Sequence, residues 1–142
     1  MPGVIFQASL KAQYFCCFFM TGIIWLIQLV HYPAFKFIDE NKFKEFHSFH
    51  SSKITYIVAP VMALELLTAF ALCWLSQAVY IWNFILVLVL WALTGFVSVP
   101  LHNSLAGNYD LKKVNQLVNT NWFRTAIWTF RSAAILYFIT TQ

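Results

Sequence analysis

Charge is scarce in this sequence. Asp, Glu, Lys and Arg make up 10% of its 142 residues, against about 25% in a soluble domain. A chain this short has too little interior to hide an apolar fraction of 61% from water, which excludes an ordinary soluble globule. Long polar segments are also missing. The connections between apolar runs are too short to hold a second domain, so a single unit is expected. The signatures of soluble catalysis are absent: no G-x-S-x-G, no P-loop and no G-x-G-x-x-G. Ser48, Ser51 and Ser52 have no carboxylate placed to orient a base for them. No C-x-x-C-H haem attachment occurs, and the E-x-x-H of a dinuclear carboxylate site is missing. Cysteine is sparse, and Cys16, Cys17 and Cys73 sit inside apolar runs as small core residues, which gives no disulfide framework.

What is present is a set of long apolar runs rich in aromatics, which suit a bilayer and its interfaces. The expected fold is all-α: a four-transmembrane-helix up-down bundle with a short interfacial amphipathic helix between spans 1 and 2. The spans are expected at about 12–32, 53–75, 79–101 and 121–139, each near the ~20 residues that cross the hydrocarbon core. The first run is too long for a signal h-region and has no small-x-small cleavage site after it, so it is retained as a span. Pro33 is expected to end it, and Pro100 to stand near the end of the third. Pro60 is expected to kink the second. Residues 76–78 make a tight link. In the first polar connection Phe43, Phe46, His47 and His50 recur at helical spacing, which suits the interfacial helix.

The net charge of +4 does not mark a nucleic-acid partner. Lys36, Lys42, Lys44 and Lys53 flank one connection; Lys112 and Lys113 flank another, with Arg124 nearby, and only Lys11 lies on the opposite side. The positive-inside rule then puts both long connections in the cytoplasm and both termini outside. Two charges lie within the spans, Glu65 and Arg131, at similar depth if both helices start on the cytoplasmic side. Leaving either unpaired costs at least ~2.5–3.5 kcal/mol, so the two are expected to pair. The pair reads either as a tie fixing helix register or as the floor of a cavity. Arg124 lies seven residues before Arg131 and therefore shares its helix face.

The histidines carry the sharpest functional signal. His31 closes the first span, His47 and His50 precede the second, and His102 closes the third. Antiparallel threading delivers all four to one membrane face, together with Asn121, Trp122 and Arg124. His47 and His50 form H-x-x-H, whose i and i+3 rings share a helix face. Imidazole suits Zn, Cu, Fe and Ni, and bundles build metal sites from facing helices. The expected cofactor is therefore a transition metal (Fe, Cu or Zn) or a haem on His31, His47, His50 and His102. Tyr32, Asn103, Asn121 and Trp122 can supply hydrogen bonds that orient imidazoles. The competing reading gives each of these an ordinary role, Asn121 as a helix N-cap and Trp122 as an interfacial anchor. A weak internal duplication is also visible, since His31 to His50 and His102 to Asn121 are equal spacings.

The stretch V-P-L-H-N-S-L-A (Val99 to Ala106), followed by N-W-F-R-T (Asn121 to Thr125), resembles the anthrone-oxygenase-like family of small four-helix integral membrane proteins. G-I-I-W-L-I-Q-L-V-H-Y-P (Gly22 to Pro33) resembles its bacterial branch. The resemblance covers most of the chain and implies a bacterial inner-membrane location. It also implies that Asn103, Asn121 and Arg124 line the polar end of the bundle in catalytic positions. Fungal members are similar to enzymes that oxidise an anthrone with O₂. The H-Y-P and H-x-x-H elements depart from that pattern, which favours a metal or haem variant over an anthrone substrate.

The expected function is thus an oxidoreductase or oxygenase acting on a lipophilic aromatic or quinone-like molecule. An apolar cavity between the helices would admit the substrate, and Arg124 would stabilise negative charge on a substrate oxygen. Two alternatives stand beside it. One is a non-enzymatic accessory or scaffold subunit of a larger membrane complex, or a homo-oligomer. The other is a transporter or proton relay, for which four spans leave little room and no Gly-rich broken helix pair is evident.

Overall fold

The computed structural model describes residues 2–75 and 79–141. The described chain is entirely helices and short connections, without strands. The first helix, α1, spans residues 2–37. It is α-helical over Pro2–Leu26, π-helical over Ile27–His31, α-helical over Tyr32–Ala34 and 3₁₀ over Phe35–Phe37. Helix α2 is one continuous rod, Glu40–Leu75. Helix α3 spans residues 79–105, with a π-helical turn at Thr94–Ser98 between Val79–Leu93 and Val99–Leu105. Helix α4 runs Leu111–Thr141. The tight link expected at 76–78 lies outside the described residues.

Four boundaries differ from the sequence expectation. Pro33 does not end α1, nor does Pro100 end α3. A proline inside a helix lacks an N–H and clashes with the carbonyl four residues back. Here each proline follows a π-turn in which the backbone closes i to i+5: Tyr32 N–H donates to Ile27 O, and Val99 N–H donates to Thr94 O. The wider turn lets the chain continue helically past the proline.

The separate interfacial helix does not exist. Its residues from Glu40 onward are the first turns of α2, and the chain passes through Pro60 without leaving the helix. Nor does the fourth helix begin at Asn121, which lies ten residues inside it. The N-cap positions belong instead to two aspartates. Asp39 Oδ1 accepts from Asn41 N–H at 2.9 Å, and Asp110 Oδ1 accepts from Lys112 N–H at 2.8 Å.

Paired contacts fix an up-down path. Gln13 meets Thr68 while His31 meets His50, so α1 and α2 are antiparallel. Thr21 meets Ser132 while Gln28 meets Asn121, which sets α4 antiparallel to α1. Ser98 meets Arg124 while Asn83 meets Arg131, and α3 is antiparallel to α4. Helices α2 and α3 close the ring. The C-terminal ends of α1 and α3 and the N-terminal ends of α2 and α4 therefore share one end of the bundle. The exposed Lys36, Lys42, Lys44 and Lys112 sit there as well.

The interior is mixed and the surface strongly apolar. The interior holds an apolar cluster around Met20, Ile24, Phe35, Phe43, Leu117 and Trp128. It also buries Gln13, Gln28, Glu65, Asn121, Arg124 and Arg131. The exposed surface is large and apolar: Trp74, Trp82, Phe96, Phe123 and Phe130 are each well over half exposed. Three helical stretches, Gly3–Phe37, Glu40–Leu75 and Tyr80–Leu105, are long and apolar enough to cross a membrane. Helix α4 is equally long, but its average is lowered by the polar residues on its inward face.

Candidate functional site

All four histidines meet at the loop end of the bundle. The ring centroids of His31 and His50 are 4.3 Å apart, those of His47 and His102 5.2 Å, and those of His50 and His102 6.0 Å. Three helices supply them: α1 gives His31 from its π-turn, α2 gives His47 and His50 from one face, and α3 gives His102 from the turn after Pro100. Phe35 closes the cluster edge-on against both His47 and His50, and Phe43 stacks on His47.

The hydrogen bonds set ring orientation. His47 Nε2 lies 3.0 Å from His102 Nδ1, and the Tyr32 hydroxyl lies 3.1 Å from His102 Nε2. One nitrogen of the imidazole pair must donate and the other accept, so at least one of the two rings is neutral. Ser51 Oγ reaches His47 Nε2 only at 3.5 Å. Two buried ring nitrogens, His47 Nδ1 and His50 Nε2, have no hydrogen-bond partner, although their residues are only 2% and 4% exposed. Buried polar atoms are normally paired, and these two are not. The donor chemistry suits a borderline transition metal. Among the described residues, no three His, Cys, Asp or Glu side chains already stand in coordination geometry. The facing nitrogens of His47 and His102 are instead spent on each other.

A second polar layer lies one turn deeper. Asn121 donates to Gln28 Oε1 at 2.8 Å, and Gln28 donates to the Val118 carbonyl at 3.1 Å. Arg124 Nη1 donates to Asn121 Oδ1 at 3.1 Å and to Ser98 Oγ at 3.3 Å. The guanidinium stands over the Trp128 ring, 5.3 Å from its centroid, and is an electrostatic neighbour of Tyr32. Both π-turns border this layer. Gln28 comes from the first and Ser98 from the second, where the widened backbone offers side chains a different angle of entry.

The third layer is the ion pair. Arg131 Nη1 lies 2.6 Å from Glu65 Oε1, with both side chains almost fully buried. Asn83 Oδ1 accepts from Arg131 Nε and Nη2 at 3.1 and 3.0 Å, and Trp128 Nε1 donates to both Glu65 oxygens at 3.3 Å. A final contact, Thr68 Oγ1 to Gln13 Oε1 at 2.6 Å, lies beyond it.

Of the residues singled out from sequence, His31, His47, His50, His102 and Tyr32 come together, with Asn121 and Arg124 directly beneath. Asn103 does not join them, because it is exposed on α3. Trp122 is 44% exposed and packs edge-on against Trp25. Sequence reading missed Gln28, Asn83, Ser98 and Trp128. Gln28 and Asn83 had a signal, since an amide within an apolar run normally faces another helix. Ser98 had none, because it lies in a π-turn that the residue pattern does not reveal.

The expected apolar cavity is not what the described clefts provide. One, of about 690 Å³, is lined by Asn41, Lys44, Glu45, Ser48, Phe49 and neighbours, and another, of about 590 Å³, lies beside Tyr56 and Pro60. The first occupies the face of α2 turned away from His47 and His50.

No family model, no curated protein and no solved structure matches this chain.

Proposed function

We propose that this chain is a four-span integral membrane protein that binds a transition metal between its imidazoles and carries out oxidoreductase chemistry on a lipophilic small molecule. The observation that carries this reading is the convergence of four histidines from three helices, two of whose buried ring nitrogens have no partner. The rings stand 4.3 Å apart for His31 and His50, 5.2 Å for His47 and His102 and 6.0 Å for His50 and His102, a spacing that suits a bare ion better than a haem. Iron or copper would supply electron transfer to the centre, and zinc only Lewis acidity. The chain's own part is positional. Tyr32 holds His102, His102 holds His47, and Phe35 and Phe43 keep water from the rings.

Membrane insertion of all four helices is supported by the apolar surface. On α4 the polar Asn121, Arg124, Thr125, Arg131 and Ser132 are buried, while Phe123, Phe130 and Tyr137 face outward. The lysine-rich end is read as cytoplasmic and the termini as extracytoplasmic. The resemblance to the bacterial anthrone-oxygenase-like branch points the same way, toward an aromatic or quinone-like substrate in the inner membrane.

Metal analysis of protein purified in detergent tests the reading. Near-stoichiometric Fe, Cu or Zn, lost in the His50→Ala and His102→Ala variants, is expected. Failure to retain any of the three after incubation would end it. A second reading, an accessory or scaffold subunit, is favoured by one observation. The Tyr32–His102–His47 bonds already tie three helices together without an ion. Co-purification of a stoichiometric membrane partner, with metal absent, would select that reading.

A further inference from the structure

Among the described residues, one buried positive charge has no counter-charge. The Asp and Glu side chains number five. Asp39 and Asp110 cap helices at the surface, and Glu40 and Glu45 are exposed. Glu65 is taken by Arg131. No carboxylate therefore lies within salt-bridge distance of Arg124, which is only 5% exposed. Its partners carry no carboxylate: a serine hydroxyl, an amide oxygen, an indole face and the neighbouring Tyr32 phenol. Its Nε is buried and has no partner at all. A buried guanidinium left in this condition is strongly unfavourable unless something outside the chain supplies the missing charge. Trp128 stands between Arg124 and Glu65, touching the one with its ring face and giving its N–H to the other, so the ion pair below does not relieve it. The four imidazoles above add no negative charge. A divalent metal among them would deepen the imbalance.

We infer that Arg124 holds the anionic oxygen of a lipophilic organic acid, a carboxylate or phenolate whose charged group sits beside Tyr32 and His102. This names the substrate class of the proposed centre and rests on the bundle being a ligand-binding site, but it does not require that a metal be bound. The surroundings select an organic anion over a small inorganic one. The layer is walled by Tyr32, Trp128 and the apolar cluster, where a strongly hydrated ion would lose its water without adequate replacement. An acid with an apolar body buries that body and brings only its oxygens to the guanidinium and the orphaned Nε, the geometry in which arginine binds carboxylates best.

Chelator-treated protein in a neutral detergent gives the test, with thermal unfolding followed by circular dichroism in the presence of decanoate, decanol or chloride. Decanoate is expected to raise the Tm of the wild type with increasing concentration, and decanol and chloride are expected to leave it unchanged. Arg124→Gln should weaken the apparent affinity for decanoate about ten- to hundredfold and, without any probe, unfold no earlier than wild type. Arg124→Lys should keep a reduced shift. Equal shifts from decanoate and decanol in the wild type would overturn the inference without recourse to any variant. So would an undiminished decanoate shift in Arg124→Gln. A tyrosinate absorption band in the wild type that disappears in Tyr32→Phe would also overturn it, by showing that the chain supplies its own counter-charge. Because metal is absent throughout, failure here leaves the imidazole centre standing, and failure of the metal analysis leaves this result standing.

Discussion

His47 and His102, 55 positions apart in sequence, face each other nitrogen to nitrogen at 3.0 Å. Their contact holds the start of α2 against the end of α3, and the Tyr32 hydroxyl on the far side of His102 brings in α1. Metal affinity should depend on this chain of contacts as well as on ligand count. Tyr32→Phe, which removes only a hydroxyl, should lower affinity about 10–100-fold, the usual cost of losing a group that orients a ligating imidazole. Titration of the apo protein with Zn²⁺ or Cu²⁺ measures it, and unchanged affinity would mean that the phenol does not position the ring.

The Glu65–Arg131 pair gives the clearest stability prediction. Glu65→Leu strands a buried guanidinium with only Asn83 as partner and should cost about 3–5 kcal/mol. The double variant Glu65→Leu/Arg131→Leu removes both charges and should recover most of that loss. Thermal or denaturant unfolding in detergent micelles compares the three. If each single variant unfolds like wild type, the pair contributes nothing to the bundle.

Gln28 offers a subtler case. Its carbonyl accepts from Asn121 while its amide donates to the Val118 backbone. Gln28→Leu is close in volume but leaves the Asn121 amide without its acceptor, at about 1–3 kcal/mol. Stability should fall by that amount, whereas a shape-only role for Gln28 would make leucine neutral.

Topology can be checked by thiol labelling. With Cys16, Cys17 and Cys73 replaced by serine, single cysteines at Lys42 and Gly107 should react with an impermeant maleimide from the cytoplasmic side only. A cysteine at Gln7 should react from the other side only. Opposite labelling of positions 42 and 107 would break the four-span path.

The sequence was most informative where chemistry and period coincide. Helix number, the gathering of the four histidines and the meeting of Glu65 with Arg131 all follow from spacing plus the cost of a lone charge in an apolar bundle. Helix ends are poorly legible because Pro33 and Pro100 look like terminators, and the π-turns that precede them are invisible in the residue pattern. Asn121 was open to reading as a cap because a polar residue before an apolar run usually is one. Asp110, eleven residues earlier, holds that place, and the turns between them are amphipathic enough to pass for loop. Arg124 and Arg131 do share a helix face, as their seven-residue spacing implies, and both are buried. The lack of a carboxylate at Arg124 emerged only once Glu65 was seen to be fully engaged elsewhere.

The indole of Trp128 divides the bundle into two storeys. Its flat face is the floor of the upper room, and its N–H edge is fastened to the carboxylate in the lower one. Arg124 above and Glu65 below therefore contact different parts of one side chain, the ring face and the N–H edge. The ion pair and the arginine layer over it are thereby joined through a single indole.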